Sequence, residues 1–174
     1  MNRTDLVGTV RLPRRYIKRR VQYVWRDRKL YFPSNLAAET TILGAVLLDN
    51  ASFKECKVLE PQDFSLDSHR RIFQRMGELM ASDHAVDIVT LAEKMRSEIA
   101  DCGGVAYLAS LTEGLPRCPV ITEYILIVKE KRRLRTIMQA CSEAVAKAQS
   151  QEHPASEIVA ELGIALKGIS KRKG

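Results

Sequence analysis

The chain lacks most of the patterns that announce chemistry. Its four cysteines (Cys56, Cys102, Cys118, Cys141) are far apart, with no C-x-x-C pair, and its three histidines (His69, His84, His153) are equally scattered. Zinc sites draw their ligands from short spacings, so a metal centre is not expected, and the cysteines read as reduced thiols of a cytoplasmic protein. No G-x-x-x-x-G-K-[ST] loop occurs, so nothing cradles a nucleotide's phosphates in the P-loop manner. G-x-S-x-G and H-E-x-x-H are missing too. Carboxylates such as Glu123 and Glu130 sit on polar helix faces rather than in a desolvated setting. The longest apolar run, Ile42–Leu48, is broken by Gly44 and falls far short of the roughly 20 residues of a membrane helix. The N-terminus lacks the apolar centre of a signal peptide. No segment alternates apolar and polar residues, which argues against a sheet.

What is present is apolar content sufficient for a core, 45% of 174 residues, and an uneven charge. Residues 1–32 hold ten Lys or Arg and two Asp, a net +8, whereas the remainder holds 18 basic and 19 acidic residues, a net −1. The basicity therefore belongs to one arm. In that arm, cations at Arg14, Arg15, Lys18, Arg19 and Arg20 alternate with rings such as Tyr16, Tyr23 and Trp25. Such a pattern suits DNA contact, with cations on phosphates and rings on bases. The plainer and favoured reading is a solvated, partly ordered extension or an upstream start of translation wrongly assigned; an organellar targeting peptide is a third, against which stand the little serine and two Asp of the arm.

From Pro33 the pattern is helix after helix, over 35–48, 51–59, 67–82, 88–99, 104–113, 120–150 and 155–170. The breaks carry turn chemistry at Asp49-Asn50, Pro61-Gln62-Asp63, Ser82-Asp83-His84, Asp101–Gly104, Gly114-Leu115-Pro116 and His153-Pro154. Ser34 or Asn35 can cap the first helix. Glu39 suits its dipole. Gly44 costs about 1 kcal/mol against Ala inside a helix, which points to a close helix–helix approach. The last two helices read as an antiparallel hairpin. Ile121, Ile125, Val128, Met138, Cys141 and Val145 form a stripe on the long one, and Ile158, Val159, Leu162, Leu166 and Ile169 one on its partner. A two-helix hairpin has little core of its own and tends to pack on another chain. His69 reads as a half-buried histidine bonded to a neighbouring helix end, and Tyr107 as a core or half-exposed aromatic with partner contact as the alternative.

The order of residue types in N-L-A-A-E-T-T-I-L-G-A-V-L-L-D-N, Asn35–Asn50, resembles the opening motif of the N-terminal domain of DnaB-type replicative helicases. Ala37 stands where that family usually has Glu, and Thr40 where it has Gln. The resemblance continues in register through P-Q-D-F (61–64), S-H-R-R-I-F (68–73), A-V-D-I-V-T-L (85–91), G-G-V-A-Y-L-A-S-L (103–111) and Y-I-L-I-V-K-E-K-R-R-L-R (124–135). It covers about 34–170 and leaves residues 1–33 outside.

The resemblance implies an all-α fold, with a compact orthogonal bundle over 34–116, an antiparallel hairpin over 119–170 and a basic tail at 171–174. It implies the collar module of a replicative helicase without the RecA-like motor. ATP and magnesium would belong to that absent motor, and no cofactor is expected in this chain, which should be inactive alone. The implied partners are the C-terminal region of primase, helicase subunits or a loader, and further copies of the chain, from dimer to hexamer, with no membrane. Ile125, Val128, Met138, Cys141, Leu162 and Leu166 are the expected self-association residues, and Tyr107 and Met138 the expected partner contacts. Two alternatives stay open: a small DNA-binding protein using Arg14, Arg15, Lys18, Arg19, Arg20 and Trp25, or a decoy subunit that poisons a full-length helicase ring.

Overall fold

A computed structural model of the chain describes residues 32–116 and 120–171. Those residues contain seven α-helices and no strand: α1 (Leu36–Leu48), α2 (Phe53–Cys56), α3 (Asp67–Ala81), α4 (Ile88–Lys94), α5 (Gly104–Ser110), α6 (Thr122–Ser150) and α7 (Ala155–Lys171). Single 3-10 turns at Asn50–Ser52 and Pro61–Asp63 link the early ones. The all-α expectation holds. The helix read over 51–59 is a 3-10 turn followed by the one-turn α2, and the one read over 88–99 ends as an α-helix at Lys94.

Helix α1 starts where its chemistry dictates. The Asn35 side chain accepts a hydrogen bond from the Ala38 N–H at 3.0 Å, and no side chain of Ser34 is needed. Ile42, Leu43, Ala45 and Val46 are buried, so α1 is wrapped on most sides. The two departures from the family motif fall toward solvent: Ala37 is exposed, and Thr40 is half-buried with its hydroxyl on the Ala37 carbonyl.

Gly44 is a close-approach position, as its sequence context predicts. A Cβ there would lie 2.0 Å from the Leu111 carbonyl oxygen and 2.6 Å from Leu115 Cδ1. The turn after α5 therefore rests on the backbone of α1, a contact only glycine permits. Gly103, with φ 93°, adopts the left-handed region that starts α5.

At the C-terminal end of α1, Asn50 acts as a clasp. Its Nδ2 donates to the carbonyls of Val46 (2.9 Å) and Val86 (2.7 Å), and its Oδ1 accepts from the Val86 N–H (2.8 Å). This holds the A-V-D-I-V-T-L segment against α1. One residue later Asp87 caps α4, accepting from Val89 N and Thr90 N while Thr90 Oγ1 accepts from Asp87 N.

The core gathers α1, α3, α4, α5 and the first half of α6 around Phe64, Ile72, Met76, Leu91, Met95 and Leu108. Ile125 and Val128 of α6, and Ile121 just before its first turn, belong to this core. Beyond Arg135 no described residue of α6 or α7 is fully buried. The second half of α6 carries α7, which runs back along it after a short connection over 151–154.

Candidate functional site

Two features stand out: a chain of polar groups inside the body, and an apolar face on the hairpin. The polar chain starts at Glu39 on α1, buried to 1% exposure. Its Oε1 accepts from the Ser65 N–H at 2.8 Å, and its Oε2 lies 2.7 Å from His69 Nδ1. His69 on α3 is fully buried, and its Nε2 lies 2.6 Å from the Tyr107 hydroxyl on α5. With Nδ1 donating to the carboxylate, Nε2 is the acceptor and the Tyr107 O–H the donor. The His69 and Tyr107 rings stack at 6.1 Å, and Phe64 meets His69 edge-on at 6.4 Å.

Burial pushes the Glu39 carboxyl up. The hydrogen bonds from His69 and from Ser65 outweigh it and hold the carboxyl below its usual range. Burial, and then the Glu39 charge, push the Tyr107 hydroxyl up. The arrangement ties α1, α3 and α5 together through Glu39, His69 and Tyr107. His69 thus differs from the sequence expectation. It is fully buried rather than half-buried, and it bonds two side chains rather than a helix end. The negative charge at position 39, legible only as a dipole partner, is its carboxylate.

Beside this chain the backbone of residues 62–65 is held by arginines. Arg70 Nε donates to the Phe64 carbonyl (2.9 Å) and Nη2 to that of Ser65 (3.0 Å). Arg135 on α6, only 6% exposed, donates from Nη1 to the Pro33 carbonyl (2.8 Å) and from Nη2 to the carbonyls of Asp63 and Gln62. Its Nε has no hydrogen-bond partner. Burial pulls the Arg135 guanidinium down from its ordinary value. Sequence reading missed Arg135, because a basic residue after K-E-K-R-R looks like more of a solvated face.

The proposed contact residues separate into groups. Ile125 and Val128 are buried at 5% and 1% within this chain's own core. Their side chains are therefore turned inward, and a self-association role for them is withdrawn on that ground. Met138 and Leu162 are half-buried, and Cys141 and Leu166 exposed. Tyr107 is half-buried with its hydroxyl committed to His69, so only its ring faces outward. Arg14, Arg15, Lys18, Arg19, Arg20 and Trp25 lie outside the described residues, as does Cys118. Burial, and then the Glu55 charge, push the Cys56 thiol up to about 12, and burial raises Cys102. Both suit the reading as inert structural thiols.

The stripe read along α6 is not straight. At about 100° per residue, Leu134, Ile137, Cys141 and Val145 fall within about 80° of one another, roughly opposite Ile121, Ile125 and Val128. A third face of α6 is turned to α7: Ala140, Glu143, Ala144 and Lys147 line a shallow cleft between the two helices together with Ile158, Glu161, Leu162 and Ala165. Lys147 and Glu161 form an ion pair there. On α7, Val159 (69% exposed) and Leu166 (39%) stand one above the other, seven residues apart. On both helices the outward apolar stripe lies about a quarter-turn from the contact line, in the same sense of numbering. In an antiparallel pair this puts both stripes on the same side of the hairpin. The hairpin thus presents one apolar face built from Ile137, Cys141, Val145, Val159 and Leu166.

Among the described residues no helix is long and apolar enough to cross a membrane, and no group of His, Cys, Asp or Glu is placed to hold a metal ion.

Known proteins share this architecture. The chain is 28% identical over 144 residues to the replicative DNA helicase DnaB of Geobacillus stearothermophilus, covering 81% of this chain and 32% of that protein. It is 38% identical over 110 residues to the replicative DNA helicase DnaB of Treponema pallidum, covering 62% and 25%. The chain thus spans about a quarter to a third of the curated relatives it matches. In structure it resembles the N-terminal domain of DnaB helicase from Mycobacterium tuberculosis, with a TM-score of 0.72 and 27% identity over 79% of this chain and 99% of that one. It shares the fold of a DnaB-like replicative helicase solved for its interactions with primase, with a TM-score of 0.63 and 24% identity over 77% of this chain and 31% of that one. The sequence model of the DnaB-like helicase N-terminal domain matches residues 31–130, and the chain belongs to that family.

Proposed function

We propose that this chain is an interaction module of DNA replication that self-associates through the apolar face of its hairpin and docks primase or a helicase subunit. The observation that carries the reading is the outward face of Ile137, Cys141, Val159 and Leu166, apolar side chains left exposed in the single chain. A hairpin standing on half of one helix gains little from its own packing, and covering this face with a second copy removes it from water. The rigid body, tied through Glu39, His69 and Tyr107, holds that face in place. The relatives supply the setting, since they are replicative helicases and one structural neighbour was solved for its interactions with primase. ATP hydrolysis and unwinding are not expected of this chain by itself, because the P-loop is missing from its sequence.

The test is Leu166→Asp together with Ile137→Asp, measured by light scattering and by circular dichroism. Both should lower the mass of the assembly while helicity persists, because neither side chain is part of the core. An unchanged mass for both variants contradicts the proposed face.

A second reading rests on the +8 of residues 1–32: the arm binds DNA. It predicts affinity that falls steeply with salt and largely disappears on deleting residues 1–32. Primase or helicase binding that survives this deletion favours the first reading.

A further inference from the structure

Three charged side chains from three different helices converge on the backbone of one short loop. Glu39 of α1 accepts from Ser65 N, Arg70 of α3 holds the carbonyls of Phe64 and Ser65, and Arg135 of α6 holds those of Gln62 and Asp63. Four successive carbonyls, 62 to 65, thus accept hydrogen bonds from two guanidinium groups. Arg135 adds a fifth, Pro33, in the strap that leads into α1. Among the described residues Arg135 is also the last buried one. The helix continues from Thr136 to Ser150, about 22 Å at 1.5 Å per residue.

From these facts we infer that Arg135 is a positioning residue that sets the direction in which the hairpin leaves the body. The core contacts of Ile121, Ile125 and Val128 fix the root of α6, but they are apolar and lie along one face. Apolar packing resists separation more than it resists small sliding. A planar guanidinium gripping carbonyls on two separate segments, the strap and the 62–65 loop, defines direction as well as distance. Its place is also where small errors grow, since a 10° change there moves the hairpin tip by about 4 Å. Burying this cation costs desolvation, and its Nε is left without a partner; in return its two Nη atoms bond carbonyls of two separate segments, a grip that fixes a direction as well as a contact. This inference does not depend on what the hairpin face binds.

The experiment is a distance measurement by electron spin resonance in the full chain. Labels are attached at Val89→Cys on α4 and Ala160→Cys on α7, both exposed, with Cys118 and Cys141 replaced by Ser. Labelled protein is diluted into unlabelled protein, so that only distances within one chain are read. The parent should give a single narrow distribution. Arg135→Met should give a distribution shifted or about twofold broader while far-ultraviolet helicity is kept. Arg135→Lys keeps the charge but not the fork, and should broaden it as well. A residue that merely stabilises would lower the melting temperature and leave the distance of the folded protein unchanged. Parental position and width in both variants overturn the inference, and so does loss of helicity in both, since Arg135 would then hold the body together rather than aim the hairpin.

Discussion

Replacing Gly44 with alanine sets two effects of known sign against each other. Inside a helix, alanine is favoured over glycine by about 1 kcal/mol. Against this stands the contact geometry: the new Cβ would lie 2.0 Å from the Leu111 carbonyl oxygen, 2.9 Å from its carbon and 2.6 Å from Leu115 Cδ1. Leu115 Cδ1 is a side-chain end and can turn away. The Leu111 carbonyl is backbone, held in the turn that closes α5, and must move by more than 1 Å to reach ordinary contact. Overpacking of this kind costs about 1–3 kcal/mol where side chains absorb it, and backbone displacement belongs at or beyond the upper end. The expected net effect of Gly44→Ala is a loss of about 2 kcal/mol, or roughly 4–8 °C in melting temperature at this size. The controls are internal. At Gly77 a Cβ would meet Phe53 at an ordinary 3.6 Å, and at Gly163 it would meet nothing within 4 Å. Gly77→Ala and Gly163→Ala should each gain up to about 1 kcal/mol. Urea unfolding of all three at one protein concentration, which keeps any assembly contribution constant, reads the difference. A Gly44→Ala protein as stable as its parent would refute the close approach of α1 and the α5 turn.

Other expectations follow from the same geometry. Because the folded state holds the Glu39 carboxyl below its free value, its contribution is full above about pH 4.5 and is lost as pH falls through the folded value; Glu39→Gln should flatten the acid limb of a stability-versus-pH curve in that window. Tyr107→Phe leaves His69 Nε2 buried without a donor and should cost about 1–3 kcal/mol in urea unfolding. Leu162→Asp places a charge in the α6–α7 contact and should lower the melting temperature as well as the mass of any assembly, whereas Leu166→Asp should lower the mass alone.

Much of the fold was legible because helix signals are local. Asn35, Asp49 and the Pro61 turn sit where capping and turn chemistry put them, and Gly44 announced its own contact by being a poor helix residue in a buried run. The polar interior was not legible, because the partners of Glu39, His69 and Tyr107 lie 30 and 38 residues apart, beyond any periodic pattern. Arg135 was hidden by its basic neighbours Lys131, Arg132 and Arg133, which share its composition but not its burial. The long-helix stripe was misread for a geometric reason. Apolar positions on α6 serve two opposite faces in succession, core first and outward later, and a list of apolar residues does not distinguish one face from two.

The central claim is that this chain is a self-associating docking module of the replication machinery. Size-exclusion chromatography with light scattering tests it most directly, first on the chain alone and then with the C-terminal region of its host's primase. A multimer that shifts to a larger complex on mixing is the predicted result. A monomer that elutes unchanged beside primase would contradict the account.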